Sequence, residues 1–186
     1  MTERATRRRD TPKAAVDGSR SSATAKGVVE RLRTAGPVAL VVLGLGVLAG
    51  VLLVVAELST YREIDTITAA CEDLASADLK QDCITTGGEQ HNWALIPVAL
   101  VAWLMAWGAG SGRSRPAAFA LLALGALVLF IALALDLPDT DVTGAVGRNF
   151  DQAEGQAGPA ITVEVVAGVA LLAAGGLRLL AERRES

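Results

Sequence analysis

Apolar residues in this chain gather into four blocks, at 37–56, 93–109, 117–135 and 160–180, with the charged residues swept out between them. The blocks are apolar all round rather than on one face, the pattern of a helix whose solvent is hydrocarbon. Each comes close to the ~20 residues that a helix rising 1.5 Å per residue needs to cross ~30 Å of bilayer core. The first three contain no Asp, Glu, Lys, Arg or His; the fourth carries Glu164 about one turn inside its start and Arg178 near its end. The second block is the shortest and is expected to recruit His91 and Asn92 to reach the interface. Pro37, Pro116 and Pro159 stand at three openings, where a missing N–H does no harm. Trp93 and Trp107 mark the two ends of the second block as an aromatic belt would, and Pro97 inside it predicts a kink. The pattern predicts an all-α polytopic membrane protein, a four-transmembrane-helix up-down bundle.

Charge gives the bundle a direction. Arg4, Arg7, Arg8, Arg9, Lys13, Arg20, Lys26, Arg31 and Arg33 precede the first block. Arg113 and Arg115 fall between the second and third, and Arg183 and Arg184 follow the fourth. The two remaining links, 57–92 and 136–159, are strongly acidic. Basic flanks resist translocation, so every basic segment is assigned to the cytoplasm and both acidic loops to the outside, with both termini cytoplasmic. The tail 1–34, rich in Arg, Ser and Ala and lacking aromatics, reads as a disordered topology determinant. A membrane domain at 35–182 and a short cytoplasmic end at 183–186 follow. The first block is longer than the apolar region of a signal peptide and is read as an uncleaved span.

Composition adds little beyond this. The chain is 52% hydrophobic with a net charge of -3, and its preference for Arg over Lys, with abundant Ala, Gly and Val, suits a GC-rich bacterial genome. The expected location is the bacterial cytoplasmic (inner) membrane.

The first acidic loop is too patterned to be a bare link. Ile64, Ile67, Cys71 and Leu74 recur at helical spacing, Ser76 and Asp78 offer a break, and Leu79, Cys83 and Ile84 suggest a second short helix that Gly87-Gly88 would end. The expected structure is an extracytoplasmic helical-hairpin cap. Cys71 and Cys83 are the only cysteines. On one straight helix they would stand ~18 Å apart, whereas a disulfide needs Cα atoms within about 7 Å, so pairing requires the hairpin. An oxidising exterior makes a disulfide the expected state, as a staple rather than a redox centre, since the C-x-x-C spacing is missing. In the second loop a short amphipathic helix is expected at 146–153, with Val146 and Phe150 on one face.

Candidate chemistry collects at the outer ends of the spans. Glu57 and Asp136 close the first and third, His91 opens the second, and Glu164 lies just inside the fourth. Three carboxylates and the sole imidazole form an outer-mouth polar cluster with the oxygen ligands that a divalent cation takes. Ser59, Thr60 and Tyr61 sit nearby with no partner other than those acids, and no nucleophile stands beside a base. Gly46 and Gly50 in the first span, and Ala170 and Ala174 in the fourth, repeat small residues at the spacing that lets helices approach closely, either within the bundle or against a partner. Trp103 is expected to pack in the bundle.

In layout, four spans with a long cysteine-bearing first outer loop and a shorter second one, the chain resembles eukaryotic tetraspan junction proteins. Their W…GLW…C…C pattern is missing, since no Trp precedes Cys71, and no residue role is carried over. The expectation is a non-enzymatic structural or interaction component of the cell envelope with no cofactor. Membrane lipid is expected around it, a membrane-protein partner or a second copy against it, and nucleic acid is not a partner. A small transporter or oligomeric channel is the alternative, followed by a redox or cation-binding role for the outer loop.

Overall fold

The computed structural model of the chain describes residues 36–66, 83–111, 114–141, 143 and 153–185. In chain order its elements are α1 (Pro37–Leu58), β1 (Thr60–Thr66), β2 (Ile84–Thr86), α2 (Gly87–His91), α3 (Leu95–Ser111), α4 (Arg115–Asp139), β3 (Ala153–Ala157) and α5 (Pro159–Glu185). The described chain is mostly helical. By length and composition α1, α4 and α5 are able to cross a membrane; α3 is equally apolar but only 17 residues long.

Proline lies in the first turn of α1 and α4 and opens α5, where its fixed φ suits a helix start. Pro97 also falls in the first turn, because α3 begins at Leu95, so it opens that helix instead of kinking its middle. The helices overrun the apolar blocks. Glu57 lies inside α1 and Asp136 inside α4, each about one turn or less from the C-terminal end.

α1 packs against α3 and α5, and α5 also against α4. Their shared core is built from small residues. Ala99, Ala102, Ala106 and Ala109 form a stripe along α3 that meets Ala49 and Leu53 of α1, while Ala167, Leu171 and Ala174 of α5 lie in the same cluster with Leu121 and Val128 of α4. Lipid gives no hydrophobic drive to associate, so close backbone approach and dispersion have to supply the packing. Gly46 and Gly50 show this directly: a Cβ on Gly46 would overlap Ala106, and one on Gly50 would overlap the Trp103 indole. That indole donates its Nε1–H to the Val47 carbonyl at 3.0 Å. Ala170 and Ala174 are likewise buried. All four small residues therefore serve packing within the chain.

Where the described residues reach the expected helical hairpin, at Ile64 and at 83–88, the expectation is corrected. β1 lies at the centre of a three-stranded antiparallel sheet of order β2-β1-β3. Ile64, expected on a helix, pairs with Gly155 of β3. Thr60, Tyr61, Ile64 and Thr66 are β-branched or aromatic and suit a pleated strand, and pairing with two distant segments outweighs the local helical spacing. Ile84 is a strand residue paired with Glu63. Gly87-Gly88 opens α2 rather than closing a helix: Thr86 and Glu89 form a capping box ahead of it. A Cβ on Gly87 would overlap the Ala56 carbonyl, so only glycine lets this turn lie against the end of α1. Of the helix expected at 146–153, Ala153 begins β3, and the rest lies outside the described residues. So do 67–82, which include Cys71 and most of the expected hairpin.

One irregularity positions the site. Between Ile131 and Asp136 α4 widens into a π-helix, with the Leu137 N–H bonded to the Ala132 carbonyl. Pro138 follows, lacking its own N–H and crowding the carbonyl one turn back, and a widened turn relieves that crowding. The result turns Asp136 inward, where it is 3% exposed.

Candidate functional site

Alternating helix directions bring four polar residues to one end of the helices, beside the sheet. Glu57 comes from the last turn of α1, His91 from the end of α2, Asp136 from the π segment and Glu164 from the second turn of α5. Glu57 and Glu164 are fully buried. The outer-mouth residues singled out from the sequence are thus brought together in space. His91, Asp136 and Glu164 each offer a ligand atom, all within 4.8 Å of one another.

Each side chain is held by a specific contact. Glu57 Oε1 accepts the Leu95 N–H at 2.7 Å, so the C-terminal end of α1 caps the N-terminal end of α3. That leaves Oε2 turned toward the imidazole, 3.9 Å from Nδ1. His91 Nε2 lies 3.1 Å from Asp136 Oδ2, and Nδ1 lies 3.7 Å from Glu164 Oε1. Asn92 and Trp93 then take left-handed backbone conformations, at φ 52° and 63°, and turn the chain sharply from α2 into α3. For a bulky Trp this conformation is strained.

Charge at this site is unbalanced. Even an imidazolium offsets only one of three carboxylates. Glu57 and Asp136 also sit at helix C-terminal ends, where the backbone dipole disfavours an anion. Neither Glu164 oxygen accepts a hydrogen bond, nor does Glu57 Oε2, and His91 Nδ1 has no hydrogen-bond partner. Taking an ionised carboxylate out of water without such partners costs several kcal/mol. Burial lowers the pKa of His91, but its hydrogen bond to Asp136 and the negative charges of Asp136, Glu164 and Glu57 outweigh that, and the pKa stands above the ordinary 6.5.

Sequence reasoning placed Tyr61 nearby but gave it no role. It is fully buried, donates its hydroxyl to the Asp136 carbonyl at 2.8 Å, and sets its ring edgewise against His91 with centroids 5.8 Å apart. Burial, then the charges of Asp136 and Asp139, push its phenol above the usual range, so it stays a donor. The available signal was that it is the only tyrosine, four positions after Glu57. Gln90 and Arg62 extend the network outward: Gln90 Nε2 donates to Asp139 Oδ2 at 3.0 Å, and an Arg62 guanidinium N–H donates to the Asp139 carbonyl at 3.3 Å.

Cys83 is buried immediately before β2, and its expected partner Cys71 lies outside the described residues. At the opposite end of the helices Glu182 joins Arg115 at 3.0 Å and Arg178 at 3.4 Å. No family model, curated protein or solved structure matches the chain.

Proposed function

We propose that this chain is a four-span integral membrane protein of the bacterial cytoplasmic membrane that works by binding rather than by catalysis, and that what it binds, at the buried carboxylate–imidazole cluster, is a divalent cation. The observation that carries the reading is Glu164, a fully buried carboxylate with neither oxygen hydrogen-bonded, set among two further acids. A cation supplies the positive charge that one imidazole does not, and the C-terminal dipoles of α1 and α4 favour it there.

In this reading α3 is the fourth span, with α2 and Trp93 completing its reach to the interface. The sheet end faces outward and both termini face the cytoplasm, because Arg115, Arg178, Arg183 and Arg184 gather at the other end. A disulfide between Cys71 and Cys83 and an interaction with a membrane-protein partner or a second copy belong to the same proposal as an envelope component.

The test is calorimetric titration of divalent cations into the chelator-stripped full chain in lipid nanodiscs. One cation per chain, with binding lost in Glu164→Gln, supports the reading. Absence of binding by any divalent cation overturns it. A membrane-impermeant thiol reagent reaching the reduced cysteines from the cytoplasmic side alone would overturn the orientation.

A further inference from the structure

The cluster is not four equivalent ligands. Resting on the cation-binding reading above, we infer that it is a site for a first-row divalent transition cation, held by His91 Nδ1, Glu57 Oε2 and the Glu164 carboxylate, with Asp136 as the residue that positions the histidine.

The division follows from the two faces of one ring. His91 Nε2 is 3.1 Å from Asp136 Oδ2, a hydrogen bond that fixes the proton on Nε2 and leaves the Nδ1 lone pair for a ligand role. Nδ1 faces Glu57 Oε2 at 3.9 Å and Glu164 Oε1 at 3.7 Å. Those two separations are too long for hydrogen bonds. They lie near the ~3.3–3.6 Å that separates neighbouring ligands around a tetrahedral ion with ~2.0–2.2 Å bonds. The atoms on this face are also the ones without hydrogen-bond partners: Nδ1, Glu57 Oε2 and both Glu164 oxygens. On the other side Nε2 and Asp136 Oδ2 satisfy each other. Metal-binding histidines as a rule donate their second N–H to a carboxylate, which holds the ring and raises its basicity. Asp136 has that relation to His91.

Glu57 is pinned in the same way. Its Oε1 caps Leu95, so its Oε2 has one direction left, toward Nδ1. Tyr61 limits the site from the sheet side, its ring edge against the imidazole and its hydroxyl on the Asp136 carbonyl.

The donor set selects the ion. Calcium and magnesium take oxygen ligands and gain nothing from an imidazole, whereas one imidazole with carboxylates suits zinc, manganese or iron(II). Asp136 also offers an oxygen within 4.8 Å of the His91 and Glu164 ligand atoms, but with that carboxylate engaged on Nε2 the three remaining side chains leave a position for water or for a group brought by a partner.

The experiment uses the full chain in nanodiscs, stripped with chelator and titrated separately with Zn2+, Mn2+, Co2+, Mg2+ and Ca2+. The inference expects the transition ions to bind one per chain and more tightly than Mg2+ or Ca2+, and Co2+ to give a visible ligand-field spectrum. Glu57→Gln and Glu164→Gln are expected to weaken binding beyond the ~10–100-fold that loss of a positioning partner costs, and to change that spectrum. Asp136→Asn is expected to fall within that range and to leave the spectrum almost unchanged, which a general loss of structure would not do. Glu57→Gln keeps an oxygen able to cap Leu95, and Glu164→Gln keeps the shape of a side chain that makes no hydrogen bond, so both variants are expected to fold. Equal or tighter binding of Ca2+ or Mg2+ would overturn the choice of ion while leaving a cation site in place. A spectrum lost with Asp136→Asn but kept with Glu57→Gln would overturn the ligand assignment. Failure of every ion to bind would remove both this inference and the reading beneath it.

Discussion

His91 Nε2 and Asp136 Oδ2 meet at 3.1 Å although the residues stand 45 positions apart. Asp136, with Glu164 and Glu57, holds the imidazole in its charged form above the ordinary 6.5, against the opposing effect of burial. A group whose folded pKa is raised contributes stability that is complete below the unfolded value and is lost as pH rises through the folded one. In chelated protein this contribution should therefore make the unfolding midpoint fall as pH rises above about 6.5. His91→Gln should make that fall smaller. Denaturant titration of both proteins, followed by tryptophan fluorescence across that range, checks it. A wild-type midpoint that rises with pH above 6.5 would contradict the arrangement.

Glu164 is the group with the least support. Both oxygens are buried without a hydrogen bond, and Glu57 and Asp136 repel it. Replacing it with Gln removes the ionisable carboxyl and keeps the shape. In chelated protein Glu164→Gln should be at least as stable as wild type, because a neutral amide costs less to bury than a carboxylate without hydrogen bonds. The same variant should gain nothing from added cation. Paired unfolding curves with and without Zn2+ measure both effects, and a variant less stable than chelated wild type would show that Glu164 is not a site of uncompensated charge.

Tyr61 joins the sheet to the helices by one hydroxyl. Tyr61→Phe keeps the ring edge on His91 and deletes the bond to the Asp136 carbonyl. Both residues are buried, so the loss is expected to cost about 1–2 kcal/mol. A change near zero in the unfolding free energy would mean that the hydroxyl does not anchor the π segment.

Much of this site was legible from residues at the ends of apolar blocks, and little of its support was. Glu57, His91, Asp136 and Glu164 stand out in sequence because a bilayer expels charge, and alternating helix directions place all four at one end. The strand that carries Tyr61 was hidden. Ile64, Ile67, Cys71 and Leu74 have helical spacing, and the pairing of Ile64 with Gly155 links segments too far apart for a local pattern to register. Gly87-Gly88 misled for a related reason. Glycines commonly follow a helix, but here they open one, because the Ala56 carbonyl excludes any Cβ at Gly87. The π segment that turns Asp136 inward left only Pro138 as a trace. The division between ligand and positioning residue rests on which imidazole nitrogen faces which acid, and spacing along the chain does not carry that information.

Three glycines of α1 separate internal packing from an exposed face. A side chain at Gly50 would enter the Trp103 indole, and one at Gly46 would meet Ala106, whereas Gly44 has nothing within 4 Å. Gly50→Val should push α1 from α3, disturb the bond from Trp103 Nε1 to the Val47 carbonyl, and destabilise by about 1–3 kcal/mol, the usual cost of overpacking. Gly44→Ala should be neutral or stabilising by up to about 1 kcal/mol, since alanine is the better helix former and meets no obstacle. Moving the α1–α3 contact also moves Glu57 relative to Leu95, whose N–H it accepts. Gly50→Val should therefore weaken cation binding from a distance, while Gly44→Ala leaves it unchanged. Unfolding free energies and Zn2+ titrations of the two variants, side by side, test the packing and its coupling to the site. Equal effects from both substitutions would mean that α1 does not use this face to hold α3.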